Sequence, residues 1–205
     1  IPARGGSKKI INKNILLFNK KPLISWAIRA GKKSKLFKNI FVSTDSKKIS
    51  KIANKYGAEI PFLRPKYLAN DYAKDLDVID HFLKYLKKKK IIIKYLCYLY
   101  PTAPLITIST IKNMRKLLIN KKCSKVLAIS EYQTPIQKAL DFKKNKTVIP
   151  LKKNFLKKRS QDLKKYYHDV GQCYWYKIEN YKIKKYNKEL KSLGFYLNKY
   201  SAHDL

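Results

Sequence analysis

Apolar residues along this chain fall into blocks with two different periods. Asp75 to Lys88 carries Val78, Phe82, Leu83 and Leu86 on one face, which predicts an amphipathic helix. Pro22 to Ile28 predicts the opening of another helix, with proline in its first turn. A third is expected after Thr44-Asp45-Ser46, running to about Tyr56 and stopped by Gly57. A fourth spans Thr107 to Asn120. Between them lie short β-branched and aromatic runs: Asn39 to Ser43, Ala58 to Leu63, Ile91 to Tyr100 and Ser124 to Ser130. The run from Ile91 is almost continuously apolar, as a strand buried on both faces would be. Alternation of strand and helix predicts an α/β fold with a parallel sheet.

The pattern changes from Glu131 to Lys165. Short pieces, Gln137 to Phe142 and Lys146 to Ile149, are joined by Asn-Lys and Pro turns and read as an inserted arm or hairpin. Gly171 to Lys177 is again a strand, a helix is expected near Ile178 to Lys184, and Gly194 to Asn198 is a last strand. One domain spanning 1–205 accounts for the whole pattern, with 131–165 as its arm. Both ends read as cut. Ile1-Pro2-Ala3 begins where a strand should be ending, and Ser201 to Leu205 stops without a closing helix.

Composition adds a warning. The 205 residues carry 48 Lys+Arg against 13 Asp+Glu, a formal charge of +35. Such a charge suggests nucleic acid or an anionic membrane as partner. Only Arg4, Arg29, Arg64, Arg115 and Arg159 are arginine, the usual bidentate reader of guanine and phosphate. The lysines are scattered, and Ile, Asn and Tyr are abundant with them. We read most of the charge as AT-rich codon bias on solvated faces. Hydrophobic residues make up 45%, too much apolar matter for a disordered basic tail. The longest uncharged run, Tyr95 to Ile111, contains two prolines and is not expected to span a membrane. Cys97, Cys123 and Cys173 form no CxxC pair, which suits small buried hydrophobes in a reducing cytoplasm.

Ligands of open α/β sheets bind at the carboxyl ends of the strands. Four polar clusters fall there: Arg4 to Lys8, Ser43-Thr44-Asp45, the loop around Arg64-Pro65, and Tyr100-Pro101-Thr102-Ala103-Pro104. In the first, Gly5-Gly6-Ser7 lets backbone N–H groups approach an anion, with Arg4, Lys8 and Lys13 supplying charge. It matches neither a Walker loop nor G-x-G-x-x-G. Other residues have plainer readings. Asp45 reads as a helix cap. Arg64 reads as a site residue or as a loop anchor ion-paired to Asp71. Asp71, Asp75, Asp77 and Asp80 complement a helix dipole before they suggest a metal site. His81 reads as structural, and Tyr174, Trp175 and Tyr176 as strand core. Pro101 and Pro104 shape their loop.

Pro2-Ala3-Arg4-Gly5-Gly6-Ser7-Lys8 followed by Lys13-Asn14 resembles the nucleotide-binding loop of the CMP-sialic acid synthetase family of cytidylyltransferases. The resemblance continues through Val42-Ser43-Thr44-Asp45, Tyr56-Gly57-Ala58-Glu59, Arg64 to Asp71 and Pro101-Thr102-Ala103-Pro104. Ser160-Gln161-Asp162-Leu163 and Tyr167-His168-Asp169-Val170-Gly171-Gln172 look like the branch that activates pseudaminic acid. Five motifs in register cover nearly the whole chain.

The resemblance implies a three-layer, mostly parallel Rossmann-like sheet of the nucleotide-diphospho-sugar transferase type, with an arm through which relatives dimerise. It implies CTP and a nonulosonic acid as substrates, Mg²⁺ as cofactor, a homodimer, and a role in glycosylating flagellin or a surface glycan. Ala3, Arg4, Gly5, Gly6, Ser7, Lys8, Lys13, Asn14, Arg64 and Thr102 would bind nucleotide, with Arg4, Lys8 and Lys13 on the triphosphate as the catalytic charges. Tyr100, Gln161, His168, Asp169 and Gln172 would face the sugar. Asp204 matches the first aspartate of the family's Asp-x-Asp metal motif, whose second would follow Leu205. Tyr100 stands where sialic acid synthetases usually have Gln. N-acetylneuraminic and legionaminic acids remain alternative acceptors. A basic nucleic-acid-binding module and a non-catalytic relative remain alternatives of another class.

Overall fold

The computed structural model describes residues 1–7, 10–121, 123–183 and 191–203. The chain opens with the extended residues 1–4 and a single 3-10 turn, Lys13–Ile15. A two-residue hairpin, β1 (Leu17–Phe18) and β2 (Lys21–Pro22), leads into α1 (Leu23–Ser34). Then come α2 (Lys47–Lys55), α3 (Asp75–Lys88), β3 (Tyr95–Leu99), α4 (Ile108–Asn120) and β4 (Cys123–Glu131). The arm contributes β5 (Leu140–Phe142) and β6 (Val148–Pro150). The long β7 (Tyr167–Glu179), the short β8 (Lys182–Ile183) and β9 (Lys191–Tyr196) follow.

The strand order is β3-β7-β4-β9, with β7 antiparallel to both neighbours and β9 parallel to β4. The sheet is therefore mixed rather than mostly parallel in its best-formed half. Parallel pairing survives as single bridges in the first third of the chain, at Pro2–Ser43, Phe41–Glu59 and Thr44–Leu63. The strands expected at 39–43 and 58–63 are present only in this reduced form.

Helices cover both faces. On one, Ala27 and Ala30 of α1 and Ile111, Met114 and Leu118 of α4 pack with Val126, Ala128, Cys173 and Trp175. On the other, Ile79, Leu83 and Leu86 of α3 pack with Tyr98, Tyr174 and Tyr176. A third cluster joins Ile24, Ile28, Ile49 and Ala53 to Ala3, Val42 and Ala58. The tyrosines expected in the strand core are there. All three cysteines carry free thiols; Cys123 and Cys173 are buried, and Cys97 is half-buried with its sulfur 3.8 Å from that of Cys173.

The helix expected at Ile178–Lys184 is not formed within its described part. Ile178 and Glu179 continue β7 and pair with Ile183 and Lys182 of β8. Asn180 and Tyr181 take φ values of 48° and 57°. Two successive left-handed residues make a tight hairpin turn, for which asparagine is well suited. Ile178 and Tyr181 are spaced like one helical face, but a turn separates them.

Candidate active site

The glycine loop is built by long-range ties. Ala3 is fully buried and donates its N–H to the carbonyl of Ser43 at 2.9 Å. Asn14 donates its side-chain amide to the carbonyl of Arg4 at 2.9 Å, so it braces the loop from behind. Gly5 donates its N–H to Asp45 Oδ1 at 2.8 Å. A Cβ at Gly5 would lie 3.1 Å from that of Ser46, which explains glycine here by close approach. At Gly6 a Cβ would meet open space. Ser7 donates its N–H to the carbonyl of Gly5 at 3.2 Å, closing a tight bend. Lys13 sits on the turn that presents Asn14. Lys8 lies outside the described residues.

Asp45 is thus a loop anchor. The cap of α2 is Ser46, whose hydroxyl accepts from the N–H of Ile49 at 3.3 Å. This corrects the helix-cap expectation for Asp45.

Arg4 meets Asp71 at 2.6 Å, with both side chains one-third exposed. Arg64 is buried to 6% exposure. Its Nε donates to Ser43 Oγ at 3.0 Å, a terminal nitrogen to the Ser43 carbonyl, and the other to the Leu68 carbonyl at 3.4 Å. Burial pulls its pKa below the usual arginine value, opposed by Tyr98, Asp45 and Asp75. The anchor reading of Arg64 therefore has direct support, while the ion pair drawn for it with Asp71 is made by Arg4.

The acidic cluster is largely spoken for. Asp75 accepts from the hydroxyl of Tyr98 at 2.7 Å and from that of Tyr100. Asp77 accepts from the N–H of Lys74 at 3.1 Å and caps α3. Burial first, and then Asp75, push both phenols far above the ordinary tyrosine pKa. They stay protonated and act as donors. Among the described residues no group of three or more His, Cys, Asp or Glu is placed to hold a metal ion. Asp204 lies outside the described residues.

From Tyr100 the polar path continues. Its ring packs 5.9 Å from that of Tyr174, whose hydroxyl donates to Asp169 Oδ1 at 2.9 Å. The same oxygen accepts from the N–H of Gly171 at 3.0 Å. Here the register of β7 slips against β4: Leu127 pairs with Tyr174 but Ile129 with Asp169. Gly171 adopts φ 66° within this slip. Asp169 thus holds a bulge. Its neighbour His168 packs its ring 5.1 Å from Tyr132 and borders a separate cavity of about 270 Å³. Ser130, Glu131, Tyr132, Gln133, Lys199 and Ala202 complete that cavity. Thr102 is buried in the turn after β3. Gln161 is exposed on the single turn Ser160–Asp162 and does not border the cavity. Gln172 is 2% exposed and gives its amide to backbone carbonyls, not to the cavity.

The structure thus gathers Ala3, Arg4, Gly5 and Asn14 in one loop, seats Arg64 on Ser43 and Leu68, and joins Tyr100 to Asp169 through Tyr174. Sequence reasoning missed the Asp45 anchor, the Asp75 acceptor shared by two tyrosines, and the cavity residues Tyr132 and Lys199. A strand-end aspartate facing a glycine loop was the available signal for the first.

The cytidylyltransferase family pattern matches residues 1–195. The chain belongs to that family of nucleotidyltransferases. It is 39% identical over 175 residues to pseudaminic acid cytidylyltransferase of Campylobacter jejuni, covering 85% of this chain and 75% of the relative. Over a shorter stretch of 79 residues it is 51% identical to CMP-N,N'-diacetyllegionaminic acid synthase of the same species, covering 38% of this chain and 34% of that one. A CMP:2-keto-3-deoxy-manno-octonic acid synthetase solved with CTP superposes with a TM-score of 0.64 at 14% identity, covering 96% of this chain and 88% of its own. That likeness establishes the α/β nucleotidyltransferase fold. Among the described residues no helix is long and apolar enough to cross a membrane.

Proposed function

We propose that the protein transfers CMP from CTP to pseudaminic acid, releasing pyrophosphate. The likeness to the Campylobacter pseudaminic acid enzyme over most of the chain carries this reading. The anomeric hydroxyl attacks the α-phosphorus, the bond to the β-phosphate oxygen breaks, and the hydroxyl proton leaves to solvent. Protein groups contribute position and charge rather than covalent chemistry. The triphosphate lies on the Arg4–Ser7 loop, with Arg4, Lys8 and Lys13 as its cations. Asn14 and Asp45 keep that loop in shape from behind, and Arg64 anchors Ser43, to which Ala3 at the start of the loop is bonded. The sugar acid lies in the cavity bordered by His168 and Tyr132, where Lys199 offers a positive charge to its carboxylate.

Mg²⁺ would be the cofactor, with Asp204 as a protein ligand, since Mg²⁺ needs few carboxylates when phosphates are present. When bound it would neutralise phosphate charge. A homodimer formed through the arm is supported by Leu140, Phe142, Val148 and Leu151, all exposed on or beside the β5–β6 hairpin. Light scattering at micromolar concentration tests this; a monomer refutes it. The product supplies a glycosyl donor for flagellin or a surface glycan, and the enzyme works in the cytoplasm.

Pyrophosphate release from CTP is to be measured with pseudaminic, legionaminic and N-acetylneuraminic acids in parallel. Pseudaminic acid is expected to give the highest kcat/KM. Release only with legionaminic acid would establish the second reading, which the shorter, more identical match favours.

A further inference from the structure

We propose that Gln172 is a positioning residue for the acceptor sugar: its buried amide holds the segment 197–203 in place as one wall of the His168 cavity. The inference rests on the sugar-acid reading of that cavity. Gln172 Nε2 donates to the carbonyl of Ser201 and to that of His203, both at 2.9 Å. Its own carbonyl meanwhile accepts from the N–H of Tyr100 at 2.9 Å, so it joins the loop after β3 to the tail. A glutamine at 2% exposure within a strand costs desolvation that only such bonds offset.

The segment it holds lies beyond β9 and is placed by a few discrete bonds. Leu197 donates its N–H to the Ile129 carbonyl at 2.8 Å, and its carbonyl accepts from Ser130 Oγ at 3.0 Å. Asn198 Oδ1 accepts from the N–H groups of Tyr200 and Ser201, each at 3.1 Å, and turns the chain back. Gln172 then fixes the far end. Lys199 and Ala202, which border the cavity, lie between these two attachment points. With Gln172 removed, the Asn198 turn and the packing of Ala202 on the core remain, but the far end loses these two bonds to the sheet. Oε1 of Gln172 is buried without a partner among the described residues, so the amide is committed to its donor side.

Gln172→Met keeps the length and removes both donors. Asn198→Ala, at an exposed position, loosens the same segment from the other side without touching the core. Hydrogen exchange at the amides of 199–203 is expected to speed up about tenfold in each variant, the scale of one or two lost hydrogen bonds. KM for the sugar acid should rise about five- to tenfold while KM for CTP stays within about twofold. Gln172→Asn, which keeps the donors on a shorter stem, should recover part of both effects. Should Gln172→Met fail to fold, Asn198→Ala carries both measurements. Unchanged exchange, or KM values for CTP and sugar acid rising together, overturns the proposal. A parent protein that turns over no sugar acid refutes the sugar-acid reading, and with it the acceptor role, whereas the exchange result still decides whether Gln172 holds the segment.

Discussion

The Arg4 guanidinium lies 2.6 Å from the Asp71 carboxylate, across 67 positions of sequence, and so waits at the glycine loop already neutralised. With both groups one-third exposed, the pair adds at most about 1 kcal/mol to stability. Its weight falls on ligand binding. Asp71→Asn keeps an acceptor for Arg4 and removes a negative charge from the path of the triphosphate. KM for CTP should fall about threefold, with Tm changed little. Arg4→Met should lower kcat/KM for CTP about 10- to 100-fold, the range for a lost charge-assisted bond. A rise in KM for Asp71→Asn would show that the carboxylate orients Arg4 more than it competes.

Gly5→Ala tests the loop from the other side. The added Cβ would press on Ser46 and push the Gly5 N–H away from Asp45. Stability should drop by about 1–3 kcal/mol, as for other overpacked sites. CTP turnover should fall at least about tenfold, more than the fold loses. Gly6→Ala, with open space around it, should disturb stability far less; calorimetry and initial rates on both variants check the contrast.

Arg64→Met should damage folding rather than contact with substrate. It leaves the Ser43 hydroxyl and the Leu68 carbonyl without the Arg64 donors, and the Ser43 carbonyl with the Ala3 N–H in place of two partners. Urea unfolding should show a loss of about 2–4 kcal/mol. Arg64→Lys should recover little, because a point charge cannot span three acceptors. Full stability of either variant would return Arg64 to the list of substrate contacts.

Stability should fall on mild acidification because of His81. Burial, and then the charges of Arg64, Lys84 and Lys88, hold its pKa below the ordinary 6.5. Its Nδ1 is buried without a partner, and its ring meets that of Phe62 edge-on at 4.5 Å. The unfolded chain therefore takes up a proton that the folded chain resists. The stability from neutral His81 is complete above the unfolded value and is lost as pH drops below it. Thermal melts between about pH 5 and 6.5 should show a shallower loss for His81→Phe than for the parent. Parallel slopes would clear His81 of this role.

Sequence legibility followed the range of the forces involved. α3 begins at Asp75 and ends at Lys88, where the expected helix does, since its apolar face and its Asp77 cap are local signals. The loop Ala3–Ser7 was legible for the same reason. The direction of β7 was not, because no residue within it records whether β3 and β4 run with it or against it. The described part of the expected helix, 178–183, failed on a competition between spacing and turn chemistry, with Asn180 and Tyr181 both left-handed. Asp45, Asp71 and Asp169 were visible as acids, but their partners lay 40 residues off, 67 residues off, and across a strand slip. Gln172 was expected to face the sugar, whereas its amide donates to the Ser201 and His203 carbonyls, because a motif reports position and cannot say which way an amide is spent.

The arm leaves and re-enters the sheet at a single point. Glu131, where it departs, is paired with Tyr167, where the chain returns, and the Tyr132 N–H reaches the Tyr166 carbonyl at 3.0 Å. The sheet therefore sees the arm as a closed loop whose length hardly matters, since doubling such a loop costs only about 0.6 kcal/mol. Core and arm can thus change at independent rates: residues 134–165, beyond the cavity residue Gln133, can lengthen or shrink without moving a strand of the main sheet. Replacing them with a short turn should leave a folded chain, and light scattering on it tests the proposed homodimer, which should fall to a monomer.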